Sequence, residues 1–387
     1  MSRQVLFTLA LLALTACTVT AASQDESQRR PGLLKVGEKV ETNLVFAQGV
    51  EHSEIITAPM ATYIAVHFSD YKLNTGDIVI VRSPDAKTAF TYGAEGVYGQ
   101  SSFVADLVPG ESAVIEYFPV STSAASRQAF RINAYSRGVS LSANQEAVCG
   151  TDDMMQMKCF APNQFLTPLR PLAYERGLAV ARLLVEGSHA CTGWLVGSAG
   201  HLMTNAHCVE DEAMANRMHV EFAAESGSCA QKCEDWLACK GQKVTLTTKL
   251  VARNRDHDYA VLKLPDDVDL WPYGFLTLRK EGAAVNEEIY VPNHSRAWGK
   301  RIAFMEDGKM IKVDSFGPSG QCAQNGLHFT GDIQGGASGS PAIGASDNKV
   351  VGIVSCGGWC PGKDIAEDIR LIIADLERKG VVIPDAY

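Results

Sequence analysis

Three short segments of this 387-residue chain hold imidazole, carboxylate and hydroxyl groups in contexts suited to nucleophilic catalysis. The first runs Cys191-Thr192-Gly193-Trp194-Leu195-Val196, then Leu202-Met203-Thr204-Asn205-Ala206-His207-Cys208. The second is Asp258-Tyr259-Ala260-Val261-Leu262-Lys263-Leu264, and the third Gly335-Gly336-Ala337-Ser338-Gly339-Ser340-Pro341. A nucleophilic serine needs an exposed hydroxyl and nearby N–H groups. Glycines around Ser338 let the backbone turn so that the N–H groups of Gly336 and Ser338 face one point, an oxyanion hole. His207 would take the serine proton, and a buried carboxylate would hold its tautomer. Asp258 directly precedes an apolar run and can be buried, whereas Asp256 reads as a solvated loop charge. Alone, His207 would read as a satisfied core histidine. With Cys208 beside it and two further segments downstream, it reads as catalytic.

The order His, Asp, Ser in these contexts resembles the serine endopeptidases of the chymotrypsin superfamily. TNAHC is similar to the family's T-A-A-H-C motif, DYAVL to its D-x-A-x-L strand, and GGASGSP to the G-x-S-G-S-P form of bacterial-type members. Within the superfamily the chain most resembles lysyl endopeptidases and glutamyl endopeptidase-like enzymes, through Cys149, Cys159, the CTG before the histidine, and the stretch from Pro292-Asn293-His294 to Lys300-Arg301-Ile302. The resemblance covers about 148–387. It implies a double β-barrel, the nucleophile at Ser338 rather than Ser340, and a Cys191–Cys208 disulfide. It further implies Cys159 with Cys229, Cys149 with Cys356 or Cys360, a local Cys233–Cys239 loop, and Cys322 with the cysteine left over. One departure stands out. Many animal members carry an acidic residue just before the serine, which receives a freed N-terminal amine. Here that residue is Ala337, so no such charge-pair switch is available, although Arg176-Gly177 superficially resembles an activation site.

Eleven cysteines suit an oxidising compartment. Arg3, an almost wholly apolar Val5–Leu14 and the small residues up to Ala22 read as a secretory signal spanning 1–22. Leu14-Thr15-Ala16-Cys17 also resembles a lipobox, so a lipoprotein anchored through Cys17 is the alternative. Either way Cys17 leaves the thiol pool and the count becomes even. The remaining cysteines all follow residue 148. No other stretch is apolar enough to span a membrane. A net charge of −9, from 35 basic and 44 acidic residues, argues against nucleic acid as a partner. Cys229, Cys233 and Cys239, or His189, His201 and His257, could suggest zinc. In an exported chain, disulfides are the better reading of such cysteines, so no metal or cofactor is expected.

The elements that must position these groups form two parts. Residues 33–137 lack cysteine and show β-rich runs: Tyr63–Phe68, Asp77–Val81, Ala113–Phe118 and Ala129–Ile132. Turn signals at Asn74–Asp77, Ser83–Asp85 and Val108–Glu111 separate them. This predicts a β-sandwich, similar in strand rhythm to CUB-like sandwiches, serving as an accessory or pro-domain. Ser136–Ala147 reads as a linker. The part from 148 to 387 is strand-rich and ends in a helix expected over Asp364–Lys379, with Ile365, Ile369, Ile372, Ile373 and Leu376 at helical spacing. The fold class is therefore all-β: a sandwich, then a chymotrypsin-like double barrel with a C-terminal helix.

Asp332 lies six residues before Ser338, where the trypsin group keeps a pocket-base aspartate that attracts Lys or Arg. Asp364 falls where the lysyl group keeps its acidic residue, but it reads here as the cap of the final helix. The strand Val351–Ser355 lacks the histidine that Glu-specific members need. Asn293-His294-Ser295 is a glycosylation sequon. The expectation is a secreted serine endopeptidase acting on proteins or peptides after Lys or Arg. A catalytically degenerate binding or adhesion protein is the alternative.

Overall fold

The computed structural model describes residues 33–122, 127–140, 150–319, 322–323, 325–357 and 363–387. The signal, Cys17, Cys149 and Cys360 lie outside these residues. Strands dominate, with few helices, as the sequence pattern anticipates.

In the first part, one sheet holds Gly37–Ala47, Tyr63–Ser69, Phe103–Val104, Val108–Pro109 and Gln128–Gly138, and a second holds His52–Thr57, Ile78–Arg82, Ala89–Tyr92 and Ser112–Phe118. Side chains from both sheets form one apolar cluster, with Phe46, Phe68, Phe103 and Phe130 from the first and Val79, Val81, Ile115 and Tyr117 from the second. Alternation drives this. Along Gln128–Gly138, buried and half-buried residues alternate with the pleat. Gly76 turns with φ +89°, and the Asp77 carboxylate accepts from Asn74 N–H at 3.1 Å.

The second part has two larger antiparallel sheets. The first orders Gln242–Thr245, Met218–Phe222, Val180–Val185, His189–Val196, His201–Thr204, Tyr259–Lys263 and Lys249–Asn254. The second orders Met155–Gln156, Arg301–Ala303, Ile289–Asn293, Pro341–Gly344, Val350–Cys356, Asp364–Asp368, Gly326–Phe329 and Ser315–Gly317. Val180–Val185 and Val350–Cys356 are buried along their whole lengths, as strands covered on both faces should be.

Three boundaries differ from the sequence reading. The linker cannot begin at Ser136, because Ser136, Arg137 and Gly138 pair with Lys39, Glu38 and Gly37. The first part is not confined to its own sheets: Leu34–Lys35 adds a strand to the second part, with Leu34 opposite Ala190 and Lys35 opposite His189. The final helix is Ile369–Arg378, not Asp364–Lys379. Asp364–Asp368 is a strand bonded on both sides, to Gly326–Phe329 and Val350–Cys356, so sheet pairing outweighs the helical spacing of Ile365. The cap is accordingly Asp368, whose side chain accepts from Arg370 N–H, and not Asp364. The helix buries Ile369, Ile372, Ile373 and Leu376, one stripe at i, i+3, i+4 and i+7.

The two parts meet through buried polar contacts. Tyr63 donates its hydroxyl to Gly187 O at 2.9 Å. Ser136 Oγ donates to Glu186 O at 2.8 Å and lies 2.9 Å from His67 Nε2, which can therefore donate to it. His219 lies 3.1 Å from Val104 O through Nε2.

Candidate active site

His207 leaves the end of strand His201–Thr204, and Asp258 immediately precedes its neighbour Tyr259–Lys263. Adjacent strands therefore deliver the two side chains to one end of the sheet. Asp258 Oδ2 lies 2.7 Å from His207 Nδ1, and Oδ1 accepts the His207 backbone N–H at 3.0 Å. Asn205 Nδ2 donates to Asp258 O at 2.7 Å, fixing the carboxylate's own backbone. With Nδ1–H committed to the carboxylate, His207 Nε2 carries the free lone pair. It is buried and has no hydrogen-bond partner among the described residues. Asp256 is exposed, as expected of a solvated loop charge.

Strand Tyr259–Lys263 is anchored from behind. Tyr259 donates its hydroxyl to Asp375 Oδ2 at 2.6 Å, and Asn254 Nδ2 donates to the same oxygen at 2.8 Å. Burial works against the Asp375 charge. Hydrogen bonds from Lys379, Tyr259 and Asn254 prevail and hold its carboxyl well below the usual range. Beside Asp258, His257 Nδ1 lies 2.9 Å from Glu367 Oε1, and Glu367 is fully buried. Burial raises the Glu367 pKa, His257 opposes the rise, and the nearby Asp258 and Asp368 charges add to it.

Ser338 sits on the turn before strand Pro341–Gly344, 5% exposed. Thr192 and Thr204 lock this turn onto the histidine side. Thr192 N–H donates to Ser338 O at 2.8 Å, and Thr192 Oγ1 donates to Gly336 O at 2.8 Å. Thr204, three residues before His207, donates Oγ1 to Thr192 O at 2.8 Å. Gly336 has φ +95°, and a Cβ there would lie 2.8 Å from His294 O and 3.0 Å from Ala297 N. Gly339 has φ +90°, and a Cβ there would lie 2.2 Å from Thr192 O. Both positions admit only glycine. Ser340 is fully buried and donates Oγ to Ala337 O at 2.6 Å, which ties its hydroxyl to the turn.

Sequence reasoning assigned no role to Thr192, Thr204 or Asn205, although all three lie in the segments it singled out. Their roles depend on partners far along the chain. His294 was singled out only within a longer stretch. It is fully buried, its N–H donates to Thr192 Oγ1 at 3.1 Å, and burial holds its ring neutral. Asn293 is fully buried as well, so the sequon is not accessible in the folded chain.

Asp332 is 6% exposed, and its Oδ2 accepts the Asp153 N–H at 2.7 Å. Burial pushes its pKa up to about 6, with Asp152 and Asp153 adding to the rise, while the Asp153 N–H and Arg301 oppose it. Glu306 is pushed up to about 7 by burial and by Asp332, Asp307 and Asp153. Asp364 lies nearby, its Oδ2 3.4 Å from Ile333 N. A Cβ on Gly357 would stand 2.3 Å from Asp364 Oδ1 and 3.3 Å from Ile333 Cβ, so Gly357 packs tightly against both.

Cys191–Cys208 is bonded and closes the loop carrying His207. Cys159–Cys229, Cys233–Cys239 and Cys322–Cys356 are bonded too. The last selects one of the two expected alternatives and takes Cys356 out of reach of Cys149. Cys191, His207 and Cys208 cluster closely enough to suggest a metal site. The sulfurs are spent on a disulfide and offer no thiolate, so the group does not suit a metal.

Residues 191–353 match the family model of a trypsin-like peptidase domain. Among solved structures, the active form of the Rv3671c protease from M. tuberculosis is 15% identical, covering 63% of this chain and 94% of that one at a TM-score of 0.42. The HtrA-type protease AlgW with tripeptide is 19% identical, covering 54% and 61% of the two chains at a TM-score of 0.39. Secreted RxLR effector protein 73 of Plasmopara viticola is 35% identical over 346 residues, spanning 86% of this chain and 83% of that protein. The chain belongs to the same family as that effector protein, and the stretch that carries His207, Asp258 and Ser338 is the one that matches the trypsin-like peptidase domain.

Proposed function

We propose that the protein is a secreted serine endopeptidase that hydrolyses peptide bonds through Ser338, His207 and Asp258. The observation that carries this reading is the double hold of Asp258 on His207, which leaves Nε2 buried and without a partner among the described residues, together with the Thr204–Thr192 link that ties the serine turn to the histidine strand. Ser338 Oγ attacks the carbonyl carbon as its proton passes to His207 Nε2. The N–H groups of Gly336 and Ser338 stabilise the oxyanion. His207 then returns the proton to the leaving amine, and the amine departs. Water, deprotonated by the same nitrogen, releases the acyl group and restores the serine.

Asp332 is the proposed pocket residue, favouring Lys or Arg before the scissile bond. Its burial, with Oδ1 enclosed and without a hydrogen-bond partner among the described residues, supports this. Residues 1–22 act as a signal peptide, consistent with four disulfides among the described residues and with the word secreted in the relative's name. Residues 33–137 form a β-sandwich that stays attached. Its buried bonds at Tyr63, His67 and Ser136 support retention over removal. The remainder folds as a double barrel.

A panel of Lys, Arg and Glu esters tests this reading. Turnover of the Lys and Arg esters, lost on Asp332→Ser, is the expected result. Unchanged kinetics in Asp332→Ser would reject Asp332, and a folded wild-type chain that turned over no ester would fit a degenerate binding protein instead.

A further inference from the structure

The strand Leu34–Lys35 lies at the proposed active site, 155 residues or so before the segment it pairs with. Leu34 pairs with Ala190, next to Cys191, and Cys191 is bonded to Cys208, the neighbour of His207. Two residues on from Ala190, Thr192 holds Ser338 O and Gly336 O. Leu34 Cδ2 lies 3.2 Å from where a Cβ of Gly336 would be. It is 8% exposed and shares an apolar cluster with Val36, Leu184, Ala190 and Ala297. Leu33, the residue before it, packs on the main apolar core of the second part.

These contacts fix which half of a substrate the strand replaces. His207 delivers its proton to the departing amine, so the leaving half of the peptide must lie on the His207–Cys208 side of Ser338. Leu34 sits on that side, opposite Ala190 and beside the Cys191–Cys208 disulfide. A strand-shaped peptide entering there would pair with the edge of His189–Cys191, the edge that Leu34–Lys35 already uses. Beyond Lys35 the chain is tied down: Val36 and Gly37 N–H groups both donate to Ser188 O, at 2.8 and 3.0 Å.

We propose that Leu34–Lys35 is a built-in occupant of the leaving-group half of the substrate cleft. A peptide with two or more residues after the scissile bond must displace it. The displacing segment is extended, with an apolar side chain where Leu34 now lies, because Leu184, Ala190, Ala297 and Gly336 border that position. An ester with no residue on that side escapes the competition. This inference rests on the proposed hydrolase reading.

The test compares two substrates sharing one acyl half: a small ester, and a peptide carrying three residues after the scissile bond, the second of them leucine. In wild type, kcat/KM for the peptide is held down relative to the ester by the fraction of time that the strand is docked. Leu34→Asp, which places a charge in the apolar cluster, raises the peptide-to-ester ratio by about tenfold or more. Leu34→Ala, which only shortens the side chain, raises it in the same direction and serves if the first variant does not fold. A ratio unchanged or lowered in Leu34→Ala, with ester turnover measurable, overturns the proposal. Wild-type protein that turns over neither substrate overturns the hydrolase reading, and this inference with it.

Discussion

Asp258 grips His207 twice, once at the ring and once at the backbone. The ring contact at 2.7 Å selects the tautomer, and the backbone contact at 3.0 Å sets where the ring starts. An asparagine could keep one of these contacts, but its amide offers a single acceptor. Asp258→Asn should therefore fold and lose about 10⁴-fold in kcat. Ester and peptide assays on the variant check this, with thermal unfolding as the control for folding.

Gly336 is required by both its backbone and its neighbours. Gly336→Ala forces a Cβ to 2.8 Å from His294 O at a φ that alanine rarely adopts. The turn must shift, and the N–H groups aimed at the oxyanion shift with it. A fall in kcat of about 10²–10³ is expected, the size of losing one oxyanion donor. Steady-state kinetics at saturating substrate would show it as a kcat effect with little change in KM.

Asp332 gives a pH signature with a definite sign. Its folded pKa is raised from 3.8 to about 6, so the native state binds more protons than the unfolded chain between those values. This group therefore erodes stability as pH rises through that window. Relative to wild type, Asp332→Asn should gain stability between pH 4 and pH 6 and hold the gain above. Wild-type KM for a Lys ester should fall as pH rises through about 6, when the carboxylate forms, and the variant should lack that fall. Denaturant unfolding and ester kinetics across this range measure the two effects.

The junction between the two parts should be acid-sensitive. Burial lowers the pKa of His67 to about 3 and that of His219 to about 4, with nearby cations (Lys39 and Arg217 at His67, Lys243 at His219) adding to the fall. Both rings are neutral in the folded chain. Below about pH 6.5 the unfolded chain takes up protons that the native state refuses, so their stabilising contribution is lost as pH falls. His219→Gln can still donate to Val104 O and has no proton to gain. Its loss of stability between pH 7 and pH 5, read by denaturant unfolding, should be smaller than that of wild type.

The chemistry-bearing segments were legible because each sets its key residue in a turn beside a strand, within its own local pattern. Strands at Tyr63, Ile78, Ser112 and Gln128 were legible for the same reason. Two things were not. Leu34–Lys35 is too short to show a period, and its partner lies far along the chain. The start of the last helix was hidden because Ile365 sits four residues before Ile369, a spacing that a strand ending at a capping aspartate mimics. The supporting roles of Thr192 and Asn205 were invisible for a third reason: a threonine or asparagine inside a strand or turn has no pattern of its own, and only its distant acceptor gives it a role.

The central claim is that Ser338 is a nucleophile activated by His207. Treatment of the folded wild-type protein with a fluorophosphonate, followed by peptide mapping, tests it most directly. The account predicts one adduct, on Ser338, abolished by Ser338→Ala and strongly slowed by His207→Ala. A correctly folded protein with no adduct, or with the adduct on Ser340, would contradict it.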